Sequence, residues 1–555
     1  MSDDAHNEFR VFGPPGTGKT TFLREQVVKW AREHGGDALA VCSFTRTAAK
    51  EIASRVNDGG VRRLQARQIG TLHSLAFHAL DAPDLTVDRI PDWNNEHPAF
   101  ALTPPSGRGF LDESPSERFD VEQGDSAMQL YDQLRARRTS RDLWPVSIAA
   151  FVRDYETWKR EEGLLDFTDL IEVALTETDS PPGDRSIFIV DEAQDLSSLE
   201  LALVRRWGEG MDTVLMAGDD DQAIYGFRGA TPDAFLNPPL PDTHKRVLQQ
   251  SYRVPTAVHA CASRWVSQLT EREPKEYLPR DDAEGVTGIL NVTSSDGYGI
   301  AEAAHRHASE GRSVMVLAAC GYMLQPVVRA LREGGVTFHN PYRPNRGDWN
   351  PLGAGNGVRA TDRLLAYLRR DPDTWGDDVA DTWTGAELRR WVEVLKASSL
   401  WKRGEQERTL AGLEPLEPVD LEWLVNDPWS HVEPEVLDRV GAGDLAWFQS
   451  QLLAGRRKGF DFPLAVARRH GAAVLRETPR ITVGTIHSVK GGQADVVILL
   501  PDLSRQGWME WEDLRGGRDA TIRQFYVGMT RARDELWVTE LRGLRGLEPR
   551  ELLAA

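Results

Sequence analysis

The chain reads FRVFGPPGTGKT over residues 9–20, and this stretch decides the fold class. A short apolar run leads into a loop with glycine at positions 13, 16 and 18, followed by Lys19 and Thr20. Apolar residues then recur at positions 22, 23, 27 and 30, the spacing of one helix face. A strand, a glycine-rich loop and a helix in this order predict a P-loop, whose backbone N–H groups surround phosphates at a helix N-terminus.

The P-loop pattern assigns chemistry to its side chains. Lys19 is expected to reach the β and γ phosphates of a nucleotide, and the Thr20 hydroxyl to bind Mg²⁺. We therefore expect a nucleoside triphosphate and Mg²⁺ at this loop, and the family resemblance described below implies that the nucleotide is ATP. The residues predicted to bind the nucleotide here are Gly13, Pro14, Pro15, Gly16, Thr17, Gly18, Lys19, Thr20 and Thr21.

Two adjacent acids follow a second apolar run, residues 186–190. Ligands of α/β sheets bind at the carboxyl ends of the strands, where Asp191 and Glu192 would then lie. Asp191 is suited to hold Mg²⁺, and Glu192 to deprotonate an attacking water. The alternative is a helix N-cap with solvated acids.

The composition sets the class of protein. At one domain per roughly 150 residues, 555 residues predict about four structural units. With 40% hydrophobic and 27% charged residues, the chain is typical of a soluble globular protein and not of a disordered one. No run is apolar enough to cross a membrane, no signal peptide is recognisable, and the three cysteines form no CxxC pair. We expect a cytoplasmic location.

The charge is unevenly distributed. A net charge of −19 ordinarily disfavours a nucleic-acid partner. Residues 81–130 carry 11 acids against 3 bases, however, and residues 371–440 carry 17 against 7. The acid is concentrated in these two blocks, which leaves the remaining chain free to present local positive surface to phosphates.

Further short apolar runs alternate with helical patterns, at residues 38–44, 213–217, 481–484 and 495–500. Uniformly apolar strands are buried on both faces, as in parallel α/β sheets. The two acidic blocks interrupt this alternation and are predicted to be insertions. The second is rich in tryptophan, which provides aromatic area for a small core of its own.

Beyond the P-loop, eight motifs follow in order: SFTRTAAKEI (43–52), GTLHS (70–74), LDFTDL (165–170), VDEAQD (190–195), AGDDDQAIYGFRGA (217–230), QSYR (250–253), VGTIHSVKG (483–491) and YVGMTRA (526–532). With them the chain resembles the UvrD/Rep/PcrA family of superfamily 1A DNA helicases. The resemblance implies two RecA-like parallel-sheet cores, each carrying a mainly helical insertion. It rests on the motifs and not on the insertions.

The resemblance also implies roles at the nucleotide. Gln222 would sense the γ-phosphate, while Arg253 and Arg531 would approach it as arginine fingers. Tyr252 would stack on the adenine, its alternative being core packing. Gly491 and Gln493 would lie at the nucleotide, with Gln493 where the family commonly has a ribose-binding Glu. The family's adenine-recognising Gln upstream of the P-loop has no counterpart before Gly13, so base selectivity is expected to be weak.

Single-stranded DNA is the implied partner, together with single/double-strand junctions. The residues that the resemblance places in the DNA channel are Phe44, Thr45, His73, Tyr225, Phe227, Arg228, Thr485 and His487. Core packing is the alternative for Phe44, Tyr225 and the two histidines. The arginine run at 135, 137, 138 and 141 either touches phosphate or forms a solvated helix face.

The predicted division of the chain has six parts. The first core comprises residues 1–80 and 163–242, interrupted by an insertion at 81–162, and the second comprises 243–341 and 479–555, interrupted by the Trp-rich insertion at 342–478. The predicted function is an ATP-dependent 3'→5' DNA helicase of replication, repair or recombination. A translocase that does not unwind and a nucleotide-switched regulator that binds a protein through the Trp-rich insertion are the alternatives.

Overall fold

The computed structural model describes residues 7–43, 65, 67–104, 123–353, 357–402, 404–427, 430, 432–513 and 517–554. Within these ranges it contains two six-stranded sheets and one two-stranded sheet. The two large sheets are parallel and accompanied by many helices, so the predicted α/β class with two parallel sheets is confirmed. No helix in the described ranges is long and apolar enough to cross a membrane.

The first sheet carries the P-loop. Its strands are β1 (Glu8–Phe12), β2 (Leu39–Ser43), β3 (Ile69–Gly70), β4 (Ile187–Asp191), β5 (Thr213–Gly218) and β6 (Lys245–Val247). They lie in the order β3-β2-β4-β5-β1-β6, and every neighbouring pair is parallel. All residues of β2 and β4 are buried, which explains their uniformly apolar sequences.

Helices cover both faces of this sheet. Helix α1 (Lys19–His34) packs Leu23 and Val27 against alternate strand residues, among them Val41 and Ile189. The opposite face packs on the helices Leu72–Ala79, Phe167–Glu177 and Ser198–Gly208. Because β1 leads directly into the P-loop and α1, the loop lies at the carboxyl edge of the sheet, where β4 also ends.

The second six-stranded sheet contains β7 (Val286–Thr293), β8 (Val314–Ala318), β9 (Phe338–His339), β12 (Ile481–Thr485), β13 (Ala494–Leu499) and β14 (Ala532–Glu540). Strand β12 pairs in parallel with β8 and β9, and β13 pairs in parallel with β14. The two-stranded sheet joins β10 (Trp383–Thr384) and β11 (Pro418–Val419) antiparallel. The apolar runs predicted at 481–484 and 495–500 correspond to β12 and β13.

The segment predicted as the first insertion has an aromatic core, in which the Trp93 ring contacts the rings of Phe151, Tyr155 and Trp158. Arg135 is buried beside it and bonds Asp166 and Glu172. Arg135 is thus neither a phosphate ligand nor part of a solvated helix face.

By compactness the chain divides into two units, residues 1–290 with 490–555, and residues 291–489. The described helices of the first unit are Lys19–His34, Leu72–Ala79, Ile90–Glu96, Gln123–Ala136, Ala149–Glu162, Phe167–Glu177, Ser198–Gly208, Pro232–Leu236, Thr256–Val266, Arg505–Glu512, Arg518–Met529 and Pro549–Leu552. Those of the second are Gly297–Ser309, Gln325–Gly334, Ala360–Tyr367, Pro372–Trp375, Gly385–Val392, Gln406–Gly412, Leu421–Asn426, Pro434–Gly441, Leu445–Gln451 and Arg457–His470. The six-part division into cores and insertions stays a prediction.

The Trp-rich segment lies in the second unit. Trp383, Trp391, Trp401 and Trp447 are buried. The Tyr367 ring contacts those of Trp391 and Trp447. These tryptophans therefore form a core, as their abundance predicted, while Trp429 lies outside the described residues.

Candidate active site

The P-loop has the backbone that its glycines allow. Gly16 and Gly18 have φ of 76° and 81°, values that side chains with a Cβ rarely adopt. A Cβ on Gly16 would also lie 2.5 Å from the Cβ of Arg253. The Gly13 N–H donates to Gly218 O at 3.0 Å, which fixes the start of the loop to the end of β5.

The loop packs against the QSYR segment. Its Pro15 carbonyl accepts hydrogen bonds from Ser251 Oγ and Tyr277 Oη, both at 2.9 Å, and the Gly16 carbonyl accepts one from Tyr252 N at 2.8 Å. The Tyr252 side chain is 71% exposed and does not pack in the core. Its ring is available for stacking on a planar base.

Lys19 lies between the loop and the acids at the end of β4. Its Nζ donates to Gly13 O at 3.0 Å and is 3.9 Å from Glu192 Oε2. Glu192 has a φ of 53°, in the left-handed region. An uncommon backbone conformation of this kind clusters at functional sites.

The two acids differ in their protonation. Burial and the charge of Glu192 raise the pKa of Asp191 to about 7 and outweigh the opposing charge of Lys19. Burial also acts to raise the pKa of Glu192, but the charges of Lys19 and Lys490 outweigh it and lower that pKa. Glu192 is therefore ionised at neutral pH, as a base must be.

These residues fit a hydrated magnesium ion. Mg²⁺ is usually bound by one or two protein oxygens, several waters and substrate phosphates. Thr20, in the first turn of α1, and the buried Asp191 carboxylate provide such oxygens. The ion would supply positive charge at the phosphates when bound.

Gln194 was missed by the sequence reasoning, although it lies within the VDEAQD motif. Its Nε2 donates to Glu192 Oε2 at 2.6 Å, and its Oε1 accepts from Asp219 N at 2.9 Å. Gln194 therefore orients Glu192 and connects it to the segment that carries Gln222.

Gln222 and Arg531 are brought together from distant parts of the chain. Arg531 Nη2 donates to Gln222 Oε1 at 2.9 Å, while Gln222 Nε2 donates to Asp219 Oδ2 at 2.7 Å. Arg531 is 2% exposed and also donates to the carbonyls of Gly492 and Val527. Both predicted catalytic side chains are thus held in fixed orientations.

The second predicted finger, Arg253, bonds Gln493. Arg253 Nε donates to Gln493 Oε1 at 2.9 Å. The structure thus places Gln493 against a guanidinium, while a contact with ribose stays a prediction. Gly491 has a φ of 87°, and its role at the nucleotide also stays a prediction.

Two lysines complete the electrostatics, and neither was singled out from the sequence. Lys490 Nζ bonds the Asp195 carboxylate and donates to Gln222 O at 2.8 Å. Lys275 Nζ is fully buried among three acids, 2.8 Å from Asp219 Oδ1 and 3.0 Å from Asp221 Oδ2, with Asp220 also in contact. Lys490 lies in the motif VGTIHSVKG (483–491), whereas Lys275 belongs to no motif.

Substituting Lys275 with Met is expected to destabilise the protein by about 3–5 kcal/mol, because it leaves buried carboxylates without their cation. Urea unfolding of the wild type and the variant measures the loss. Lys245→Met is the matched control, since its ion pair with Glu273, at 2.8 Å, is partly exposed and is expected to contribute less than about 1 kcal/mol. Equal losses in both variants would contradict this assignment.

The residues predicted to contact DNA differ in how far they are buried. Phe44 and Thr45 lie outside the described residues. The Tyr225 ring is 5% exposed, lies 5.8 Å from the Phe227 ring and has Lys490 Nζ 5.2 Å from its centroid. Phe227 and Arg228 are half-buried in the same loop, whose Gly226 carbonyl accepts from Arg137 at 2.9 Å.

The histidines and Thr485 have structural partners. His73 Nδ1 is 3.6 Å from Glu200 Oε1, and burial lowers the pKa of this imidazole. In the second unit Thr485 and His487 are buried, and Thr485 Oγ1 accepts a hydrogen bond from Ser488 N at 3.2 Å. DNA binding by these residues stays a prediction.

The fold and the site define a P-loop protein with a parallel α/β sheet, a carboxylate pair at the strand end and Arg253 beside the P-loop. Residues 3–239 match the UvrD/REP helicase N-terminal domain, and residues 480–539 match the UvrD-like helicase C-terminal domain. Together the two matches cover more than half of the chain in family order. The chain belongs to the UvrD/Rep helicase family, as its motifs predicted.

Curated proteins similar in sequence to this chain include DNA helicases. The chain is 25% identical over 290 residues to the ATP-dependent DNA helicase PcrA of Staphylococcus epidermidis, covering 48% of this chain and 38% of that protein. It is 28% identical over 291 residues to the ATP-dependent DNA helicase UvrD2 of Mycobacterium tuberculosis, covering 47% and 41%. The matched region thus spans about two fifths of the length of these relatives.

Proposed function

We propose that this chain is the motor of an ATP-dependent DNA helicase that hydrolyses ATP with Mg²⁺ and moves along single-stranded DNA. The observation that carries the proposal is the grouping of Lys19, Glu192, Gln222 and Arg531 through direct contacts or shared partners around one P-loop. Membership of the family and the names of the relatives support the same activity.

Hydrolysis follows from the side chains in place. Lys19 would bind the β and γ phosphates, and Thr20 and Asp191 would hold Mg²⁺, which would supply positive charge at the phosphates. Glu192, kept ionised by the lysines and oriented by Gln194, accepts a proton from the attacking water. Arg531 and Arg253 stabilise charge on the transferred phosphoryl group.

Movement would follow from the origin of these groups. Lys19, Glu192 and Gln222 come from the predicted first core, whereas Arg253 and Arg531 come from the predicted second core. In this proposal ATP strengthens the contact between the two sets and hydrolysis weakens it, so that each core alternates its grip on single-stranded DNA. The motif set resembles that of 3'→5' members, which gives the proposed polarity, and single/double-strand junctions in replication, repair or recombination are the proposed sites of action.

ATPase assays with and without single-stranded DNA test the proposal, together with unwinding of duplexes carrying a 3' or a 5' tail. We expect DNA-stimulated turnover and unwinding from the 3' tail only. Stimulated turnover without unwinding would favour a translocase that strips proteins. ATPase activity that does not change when single-stranded DNA is added would favour a nucleotide-switched regulator, with the segment 342–478 as the surface that binds its protein partner.

The site is expected to discriminate weakly between nucleobases. The exposed Tyr252 ring can stack on any base, because every base has a π face. Asn7, the one side-chain amide among residues 7–12, already donates to the carbonyls of Gly208 and Met211, both at 2.7 Å. We expect kcat/KM for GTP within about a hundredfold of that for ATP, as in sites without a specific hydrogen bond.

Steady-state turnover with ATP and GTP, each with saturating single-stranded DNA, measures this ratio. Tyr252→Ala provides the comparison, since it should weaken the binding of ATP and of GTP to a similar extent. A preference for ATP of about 10⁴ or more would instead require a residue that hydrogen-bonds the adenine.

A further inference from the structure

Ser43 carries a hydroxyl group that no part of the mechanism uses. It is the last residue of β2 and is fully buried. Among the residues that the structure describes, its Oγ has no hydrogen-bond partner. A buried hydroxyl without a partner costs about 1–3 kcal/mol, so alanine would be the more stable residue at this position if the hydroxyl had no ligand.

The position of Ser43 distinguishes it from other buried polar atoms. Strands β2 and β4 are parallel, and Ser43 is the register partner of Asp191. Side chains alternate between the faces of a strand, and partners in register share a face. Ser43 and Asp191 therefore lie on one face of the sheet, at its carboxyl edge.

That face is the one covered by α1. Leu39 and Val41 of β2, with Ile187 and Ile189 of β4, belong to the apolar cluster that includes Leu23 of α1. Ser43 lies two residues after Val41, and Asp191 lies two residues after Ile189, so both side chains are on the same face of the sheet as these apolar residues. The first turn of α1 contains Thr20, and the neighbouring Lys19 Nζ is 3.9 Å from Glu192 at the end of β4.

We propose that the Ser43 hydroxyl is a third polar group of the magnesium site, which hydrogen-bonds a water molecule of the ion bound by Thr20 and Asp191. The proposal rests on the proposed nucleotide hydrolysis and deepens it. Magnesium dehydrates reluctantly and keeps several waters in protein sites. Those waters need protein partners, and groups that bind them orient the ion without contacting it.

Ser43 is thus a positioning residue, and its hydroxyl gains a partner only when the metal is bound. Removing it should leave the nucleotide-free protein as stable as the wild type or more stable. The same change should weaken metal-dependent binding, since loss of such outer partners typically costs about 10–100-fold in metal affinity. A purely structural hydroxyl would show the reverse pattern.

The test measures binding of the non-hydrolysable analogue AMP-PNP by titration calorimetry, once with Mg²⁺ and once with EDTA, together with urea unfolding of the nucleotide-free protein. For Ser43→Ala we expect the Mg²⁺-dependent gain in affinity to fall at least about tenfold, with binding in EDTA and stability undiminished. Ser43→Thr keeps a hydroxyl and should retain most of the gain.

Thr539→Val is the matched control. Thr539 Oγ1 is also buried and has no hydrogen-bond partner within the described ranges, but it lies on β14 of the other large sheet. Its loss should therefore leave the Mg²⁺-dependent gain in AMP-PNP affinity unchanged. An unchanged gain in Ser43→Ala, or a loss equal in Mg²⁺ and EDTA, would overturn the role of Ser43 alone. A wild type that fails to bind AMP-PNP in any condition would overturn the proposed function as well.

Discussion

Replacing Lys19 with alanine is expected to abolish nucleotide turnover. Lys19 Nζ, which contacts Gly13 O and approaches Glu192, is the cation of the loop itself. No other side chain of residues 13–21 carries positive charge, so nothing in the loop replaces its contact with the β and γ phosphates. Because Lys19 also lowers the pKa of Glu192, its loss weakens both the phosphate site and the ionised base.

Turnover with and without single-stranded DNA measures this loss, and nucleotide titration measures the accompanying loss of affinity. Lys29→Ala, on the same helix α1 but outside the loop, is the matched control and should turn over normally. Turnover of Lys19→Ala within about tenfold of the wild type would show that the P-loop is not the site of hydrolysis.

Glu192→Gln separates binding from chemistry. The substitution preserves the size of the side chain and removes its ability to take a proton. We expect nucleotide binding to persist while hydrolysis is lost, by a factor of about 10² or more, the contribution of a general base. Nearly normal hydrolysis in this variant would exclude Glu192 as the base and leave Asp191 as the next candidate.

Replacing Arg531 with alanine is expected to lower kcat by about 10³ or more, with a much smaller change in KM. A guanidinium that stabilises the transferring phosphoryl group acts on charge in the transition state, and fingers of this kind contribute about 10³–10⁵ in rate. Its fixed hydrogen bond to Gln222 means that it is oriented before the reaction.

Steady-state kcat and KM, measured separately, test this assignment. Arg523→Ala is the matched control, because Arg523 is a second buried arginine, on the helix Arg518–Met529, that donates to the main-chain carbonyls of Asp220 and Glu271 and lies 3.7 Å from the Asp519 carboxylate. That variant should lose stability more than rate. A rise in KM with unchanged kcat would make Arg531 a ground-state phosphate ligand instead.

Local sequence predicted the carboxyl edge of the first sheet, where the P-loop and the acids after β4 lie. The P-loop glycines, the uniformly apolar strands and the acids after β4 act through contiguous residues, so their conformation follows from neighbours in the chain. The same holds for the apolar runs that became β12 and β13. Family motifs added the roles proposed for Gln222, Arg253 and Arg531, which no local pattern supplies.

The tertiary structure alone decided which of these groups meet. Arg531 and Gln222 are 309 positions apart, and nothing in either segment specifies that their side chains share a hydrogen bond. Lys275 belongs to no periodic pattern or motif, and a single lysine in a sequence is normally expected to be exposed to solvent. Only the tertiary structure shows that it is buried among three aspartates. The sequence left two alternatives open for the Tyr225 ring, stacking on DNA or core packing, and only the structure shows that the ring is buried.

The sequence by itself therefore determined the fold class, the phosphate loop and the carboxylates, since each depends on short-range spacing. The three-dimensional path determined the partners of each charge. It placed Gln194 between Glu192 and Asp219, and it set Ser43 beside Asp191 in register. The physical reason is that hydrogen bonds and desolvation act over a few ångströms in space, whatever the separation of the residues along the chain.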